Sequence, residues 1–331
     1  MARIHRQPFL AASQPPTTET IVGTPGDDNL TPDSSGPVAI SGLAGNDRLV
    51  GSAQADILDG GAGNDIIDDG DIDRFRGGSG NERGGNDTLL GGSGDDLIFS
   101  LFGIDAIDGG EGNDFASVNL LEQTVAVTAT GTLGSGRTLT FSDGTTLVNI
   151  ESAGISLGDG DNVLDLRGTS ARVSIRSSSG DDFLAGGKGD DDLEAASGEN
   201  TLLGGGGDDS LFAGNEADRL RGGGGDDVLQ SGNGNDTLSG GGGADLFDFG
   251  NVGLDRVLDF SAAQGDRVFA RFVDFVDDDN AVLVPDPVAA GLLTIADTAD
   301  GVLLTDRSFG GTMLLVGVTL ADLAPDSIFF S

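Results

Sequence analysis

A nine-residue unit runs without interruption from Ser177 to Asp248, in eight successive copies: SSSGDDFLA, GGKGDDDLE, AASGENTLL, GGGGDDSLF, AGNEADRLR, GGGGDDVLQ, SGNGNDTLS and GGGGADLFD. Position 6 is Asp182, Asp191, Asn200, Asp209, Asp218, Asp227, Asp236 and Asp245; position 8 is Leu in every copy except the last, where it is Phe247. An earlier set comprises GLAGNDRLV, GSAQADILD and GGAGNDIID from Gly42 to Asp68. After a disturbed stretch come ERGGNDTLL, GGSGDDLIF, SLFGIDAID and GGEGNDFAS from Glu82 to Ser117. Their position-6 acids are Asp47, Asp56, Asp65, Asp87, Asp96, Asp105 and Asp114. An isolated copy from Gly23 adds Asp28, and a degenerate one, LGDGDNVLD, starts at Leu157. So short a period leaves few choices of fold. Six residues make a turn, three make a strand with one inward side chain, and such a unit buries nothing until neighbours stack on it.

The spacing also carries chemistry. Glycines at positions 1, 2 and 4 open backbone angles closed to other residues, so the turn is tight and directs carbonyl oxygens inward. The aspartate at position 6 adds a carboxylate. Carbonyl and carboxylate oxygens are hard ligands, suited to calcium rather than zinc. The 58 glycines alone would fit a flexible linker or a silk-like fibre, but neither explains aspartates and apolar residues at fixed positions.

These nonapeptides resemble the RTX, or haemolysin-type, calcium-binding repeat G-G-x-G-x-D-x-U-x. The resemblance implies that two consecutive nonapeptides form one coil of a right-handed parallel β-roll, with calcium between turns of successive coils on one edge. It implies a metal-ligand role, together with turn carbonyls, for Asp28, Asp47, Asp56, Asp65, Asp87, Asp96, Asp105, Asp114, Asp182, Asp191, Asp209, Asp218, Asp227, Asp236 and Asp245. The expected cofactor is therefore Ca2+, in several copies.

If two units make a coil, alternate copies share an edge. Sorted this way, GGKGDD, GGGGDD, GGGGDD and GGGGAD fall on one edge; SSSGDD, AASGEN, AGNEAD and SGNGND fall on the other. The second edge never has Gly at position 1, carries Asn200 at one ligand position, and places Glu216 where a position-4 glycine belongs. Upstream, GGSGDD and GGEGND alternate with ERGGND and SLFGID, and GLAGND and GGAGND flank GSAQAD. Calcium is expected to bind most strongly along Asp47, Asp65, Asp96, Asp114, Asp191, Asp209, Asp227 and Asp245.

The expected fold is all-β: two right-handed parallel β-rolls with a β-rich bridge and a β-rich C-terminal cap. The divisions are a disordered tail (1–20), a first roll (21–117), a bridging segment (118–156), a second roll (157–250) and a cap (251–331). Within the bridge TVAVTAT and RTLTF alternate as strands do; in the cap LLTIAD, GVLLTD and TMLLVGV read as hairpin strands. Asp255, Val257, Asp259 and Phe260 resemble the family's end-of-roll segment. The ending LADLAPDSIFFS resembles an uncleaved type I secretion signal.

A formal net charge of −38 opposes contact with nucleic acid and anionic lipid. No apolar run is long enough for a transmembrane helix, and the start of the chain lacks the apolar stretch of a cleavable signal peptide. Without cysteine there are no disulfides, and ions remain as the staple. The single histidine, His5, lies in the polar tail, so neither a zinc-protease motif nor a His-dependent triad can be assembled. The expectation is a non-enzymatic, extracellular calcium-binding protein with a structural or adhesive role, exported by type I secretion machinery. The alternatives are a calcium-dependent polysaccharide-binding module, with Arg167, Arg172 and Arg176 as its cations, or a hydrolase of unfamiliar type.

Overall fold

The computed structural model describes residues 18–33, 35–70, 84–123, 125–248, 252–270, 273–275, 281–283, 293–306, 311–324 and 327–330. His5 and most of the expected N-terminal tail lie outside these residues. Glu19 and Thr20, also assigned to that tail, belong to a strand, Glu19–Val22, paired in parallel with Val38–Ala44.

Position 8 builds the core. Leu49, Leu58, Ile67, Leu89, Ile98, Ile107, Leu184, Leu193, Leu202, Leu211, Leu229, Leu238 and Phe247 are all at most 1% exposed. Their neighbours at positions 7 and 9 point outward, as the twofold period of a strand requires. Successive units alternate between two facing sheets. Leu193, Leu211, Leu229 and Phe247 stand in register on one face, and Leu184, Leu202, Leu220 and Leu238 on the other. The result is a parallel β-solenoid with a core two side chains thick.

One face is a single sheet of 13 strands, running from Asn29–Leu30 through both repeat blocks to Ile328–Phe330. At a strand spacing of ~4.8 Å it spans roughly 58 Å. The opposite face is divided into an eight-stranded N-terminal sheet and a nine-stranded C-terminal sheet. The division falls at the bridge, which both caps and continues. Ala129–Gly131, Thr138–Phe141 and Thr146–Val148 form an antiparallel meander that closes the N-terminal sheet. Ser152–Leu157 then carries the long sheet onward, between Phe115–Leu120 and Val173–Ser179.

The second block enters with a shift along the strands. Ala116, a position-8 residue, aligns with Ala153 and Val173, and Ser174 pairs with Asp192, so the second block's acids stand two residues out of line with the first block's. An even step keeps the same face buried; an odd one would have turned the leucines to solvent. At the C-terminal end Leu293–Asp297, Gly301–Asp306 and Gly311–Val316 form an antiparallel meander joined to Gly253–Val257. Phe260 packs on Phe247 at a ring-centroid distance of 6.2 Å. Among the described residues the one helix is a 3-10 turn, Leu320–Asp322, and no helix is long and apolar enough to cross a membrane.

Candidate metal centre

Each turn is locked to the next by its position-6 aspartate. Asp209 Oδ1 accepts a hydrogen bond from the backbone N–H of Asp191 at 2.8 Å, Asp227 Oδ1 from Asp209 N–H at 2.9 Å, and Asp245 Oδ1 from Asp227 N–H at 3.1 Å. In the first block the same edge runs Asp28, Asp47, Asp65, Asp96, Asp114, each N–H donating to the Oδ1 of the next. All of these turns feed strands of the long sheet, so the glycine-rich edges of both blocks lie along the same side. The other edge carries Asp56, Asp87 and Asp105, then Asn162, Asp182, Asn200, Asp218, Asp236 and Asp255, linked in the same way. Every sequence-predicted acid thus stands in one of two rows of stacked turns.

The second carboxylate oxygen has no such partner. Oδ2 of Asp47, Asp65, Asp87, Asp96, Asp114, Asp182, Asp209, Asp218, Asp227, Asp236 and Asp245 is buried without a hydrogen-bond donor. Along the glycine-rich edge of the first block, at Asp47, Asp65, Asp96 and Asp114, what it faces is another oxygen. A methyl placed on Gly60 would lie 2.3 Å from Asp65 Oδ2 and 2.8 Å from the Gly91 carbonyl oxygen; one on Gly91 would lie 2.4 Å from both Asp96 Oδ2 and the Gly109 carbonyl. Carboxylate and carbonyl oxygens therefore converge on a space that any side chain at position 1 would fill. Acceptors alone cannot satisfy one another; a hard cation bound through oxygen fits this donor set.

The other glycines answer to backbone contact. A methyl on Gly223 or Gly225 would meet the carbonyl oxygen of Gly205 or Gly207, one coil earlier, at 2.1 Å, and both residues adopt positive φ, 130° and 123°. Leu43 at φ 79° and Glu216 at φ 77° hold the equivalent positions 2 and 4 without being glycine.

The strand pairing continues into the turn on both edges, with Gly61 opposite Gly92 and Gly205 opposite Gly223 opposite Gly241 on the glycine-rich edge, and Ser177 opposite Ala195 and Ser179 opposite Ser197 on the second. On the second edge some carboxylates close on local donors: Ser100 Oγ donates to Asp105 Oδ2 at 2.6 Å, and Ser52 N–H donates to Asp56 Oδ2 at 2.5 Å. Leading acids of the rich edge do likewise, Asp28 with Thr24 N–H at 2.5 Å and Asp191 with Gly187 N–H at 2.6 Å.

Several contributors escape the repeat pattern. Glu151 lies opposite Asp114, and its Oε2 accepts that residue's N–H at 3.0 Å, supplying the row where the bridge has no repeat. Asp266 ends the rich edge with both oxygens engaged, by Asp245 N–H at 3.1 Å and Ser261 N–H at 2.7 Å. Asp259, singled out in the end-of-roll segment, accepts from Ser239 Oγ at 2.6 Å. Position 5 has its own ladder running the opposite way: Asp190, Asp208 and Asp226 Oδ1 accept the N–H of Asp208, Asp226 and Ala244 one coil later. The recurrent D-D and N-D pairs are the sequence signal for it.

Burial shifts several of the position-6 acids upward. Desolvation, opposed by the Asp191 N–H and reinforced by Asp191, Asp190 and Asp208, pushes Asp209 up to about 7. Asp96, Asp218 and Asp227 are likewise pushed to about 7, again chiefly by burial. A folded-state pKa above the unfolded value means that folding takes up protons. This contribution is complete below about pH 4 and is lost as pH rises through 7. The calcium-free chain should therefore gain β structure on acidification from about pH 7.5 to about pH 5.5, followed by far-UV circular dichroism; no gain would contradict the burial of these acids.

The RTX calcium-binding nonapeptide repeat family matches residues 40–68, 83–116, 158–193, 176–211, 194–229 and 212–247. No curated protein sequence matches the chain. Among solved structures, the extracellular lipase LipA from Serratia marcescens aligns at 18% identity and a TM-score of 0.21, over 91% of this chain and 41% of the lipase. The chain thus spans less than half the length of that relative, and a likeness this low carries no argument about activity. The repeat matches and the stacked turns agree, and the chain belongs, through its repeats between residues 40 and 247, to the RTX calcium-binding nonapeptide family.

Proposed function

We propose that this protein is a secreted, non-enzymatic calcium-binding β-roll that folds when it meets extracellular Ca2+ and serves a structural or adhesive role. The observation that carries this reading is the repetition of buried Oδ2 atoms without donors, those of Asp47, Asp65, Asp96 and Asp114 each beside a backbone carbonyl oxygen. A buried carboxylate in that setting needs a proton or a cation. Calcium of order 10⁻³ M outside cells fills sites of ~10⁻⁴–10⁻³ M affinity, whereas cytosolic calcium leaves them empty. A chain that is unfolded at low calcium can pass a secretion channel and fold on the far side, drawing on metal binding for its stability. The C-terminal segment would then act as an uncleaved type I signal.

A polysaccharide-binding role has less support. Arg167 is paired with Asp165 at 2.5 Å and Arg176 with Glu194 at 2.9 Å, so two of the three candidate cations already have acidic partners.

After exhaustive chelation the chain should show a largely disordered far-UV circular dichroism spectrum and acquire β structure as calcium reaches millimolar levels; an unchanged spectrum would refute folding on calcium. The edges are expected to differ. Asp209→Ala should release more bound calcium than Asp218→Ala, although both remove one Oδ1 hydrogen bond of the same kind. Equal losses in calorimetric titrations would remove the distinction between the edges.

A further inference from the structure

The first block contains one turn that departs from the repeat. Along the second edge the step from Asp56 to Asp87 is 31 residues, against 18 from Asp87 to Asp105. The nonapeptide register places Glu82 at position 1 of this turn; the structure places Asp69 there. Gly51 N–H donates to Asp68 O at 2.8 Å and Asp69 N–H to Phe99 O at 3.2 Å, which puts Gly51, Asp69 and Ser100 in one row. A methyl on Gly51 would lie 2.3 Å from the Asp69 carbonyl oxygen, the relation that position-1 residues keep elsewhere. The insertion thus enters after Gly70 and leaves before Gly85, within the turn, and brings a carboxylate to a position where the neighbouring coils have a hydrogen atom or a hydroxymethyl group.

That carboxylate is fully buried and does not stand alone. One carboxylate oxygen from each of Asp69, Asp87 and Asp105 lies within 4.8 Å of the others, and none of the three residues is more than 2% exposed. Asp69 Oδ2 accepts the N–H of Leu101. Asp105 accepts from Asp87 N–H at 2.8 Å and from Ser100 Oγ at 2.6 Å. Asp87 Oδ1 accepts from Asp56 N–H at 2.6 Å, and its Oδ2 is buried with no donor at all. Three oxygens at such separations can touch one ion at calcium–oxygen distances of ~2.3–2.6 Å.

We propose that Asp69 joins the position-6 acids Asp87 and Asp105 in a calcium site unlike those of the other repeat turns, with three carboxylates on one ion, and that it is the tightest in the chain. The repeat turns offer a donor-less carboxylate oxygen and a carbonyl; here three carboxylates converge in a buried space. Affinity in oxygen-ligand sites rises with ligand charge and rigidity. Without a cation the cluster is costly: burial first, then the neighbouring Asp105, Asp56 and Asp69, push Asp87 up to about 8. The rival account is a metal-free cluster in which protonated carboxyls share hydrogen bonds.

The test is calorimetric calcium titration of the full chain as wild type, Asp69→Asn and Asp69→Ser. The asparagine keeps the shape and the acceptor for Leu101 N–H. The serine reproduces the position-1 residue of the next coil. Both variants should lose the tightest binding class, by one ion or by an affinity drop of about 10-fold or more, while the remaining ions are retained. Unchanged number and affinity of ions in the variants would overturn this site and leave the repeat sites intact; no calcium bound by the wild type would overturn both. Anomalous scattering from calcium-loaded crystals of the wild type is independent of how the variants fold. An ion touching all three carboxylates supports the site, and three carboxyls hydrogen-bonded to each other without an ion overturn it.

Discussion

A buried aspartate with one oxygen tied to the turn behind it and the other facing only acceptors governs this molecule. The tied oxygen sets the spacing of the coils, because Asp209, Asp227 and Asp245 each receive the N–H of the residue 18 positions earlier. On the glycine-rich edge the untied oxygen also sets the composition of the turn: position 1 has no room for a side chain, as the contact at Gly222 makes plain, 2.1 Å from Asp227 Oδ2 to a would-be methyl. Glycine, tight stacking and acidity are thus consequences of one arrangement. An acceptor without a donor, repeated along two edges, is destabilising until a proton or a cation reaches it.

The remainder of the fold could not carry that cost by itself. The core holds one large side chain per strand in most coils, and there is neither a disulfide nor a thick globular interior to compensate. A net charge of −38 adds self-repulsion. Cohesion between coils therefore depends on what neutralises the edges. The single 13-stranded sheet links the two blocks through the bridge. Stacked units of this kind gain stability from nearest neighbours, so order in one block can be passed to the other.

Much of this was legible in the nonapeptide. Positions 6 and 8 predict the acid rows and the leucine core, and the alternation between GGGGDD and SGNGND separates the two edges along which those acids stand. TVAVTAT and RTLTF announce the meander of the bridge. What escaped depends on alignment across coils rather than along the chain. Glu151 belongs to the acid row only because Ser152 pairs with Phe115, and no repeat surrounds it. Asp69 reads as the residue after a finished unit; only the stacking on Gly51 reveals it as the start of the next turn. The position-5 ladder was present as recurrent D-D and N-D pairs, but its meaning needs the next coil. The continuity of the long sheet was equally hidden, because the lost repeat at residues 118–156 reads as a break on both faces although it breaks only one.

Cations on the edge carboxylates hold the coils together. The most direct measure is the thermal unfolding midpoint as a function of free calcium, since ligand taken up on folding raises it in proportion to the number of ions bound. The prediction is a midpoint that climbs steadily through the micromolar to millimolar range, with a slope requiring several ions per chain. A cooperative transition at the same temperature in chelator and in millimolar calcium would contradict it.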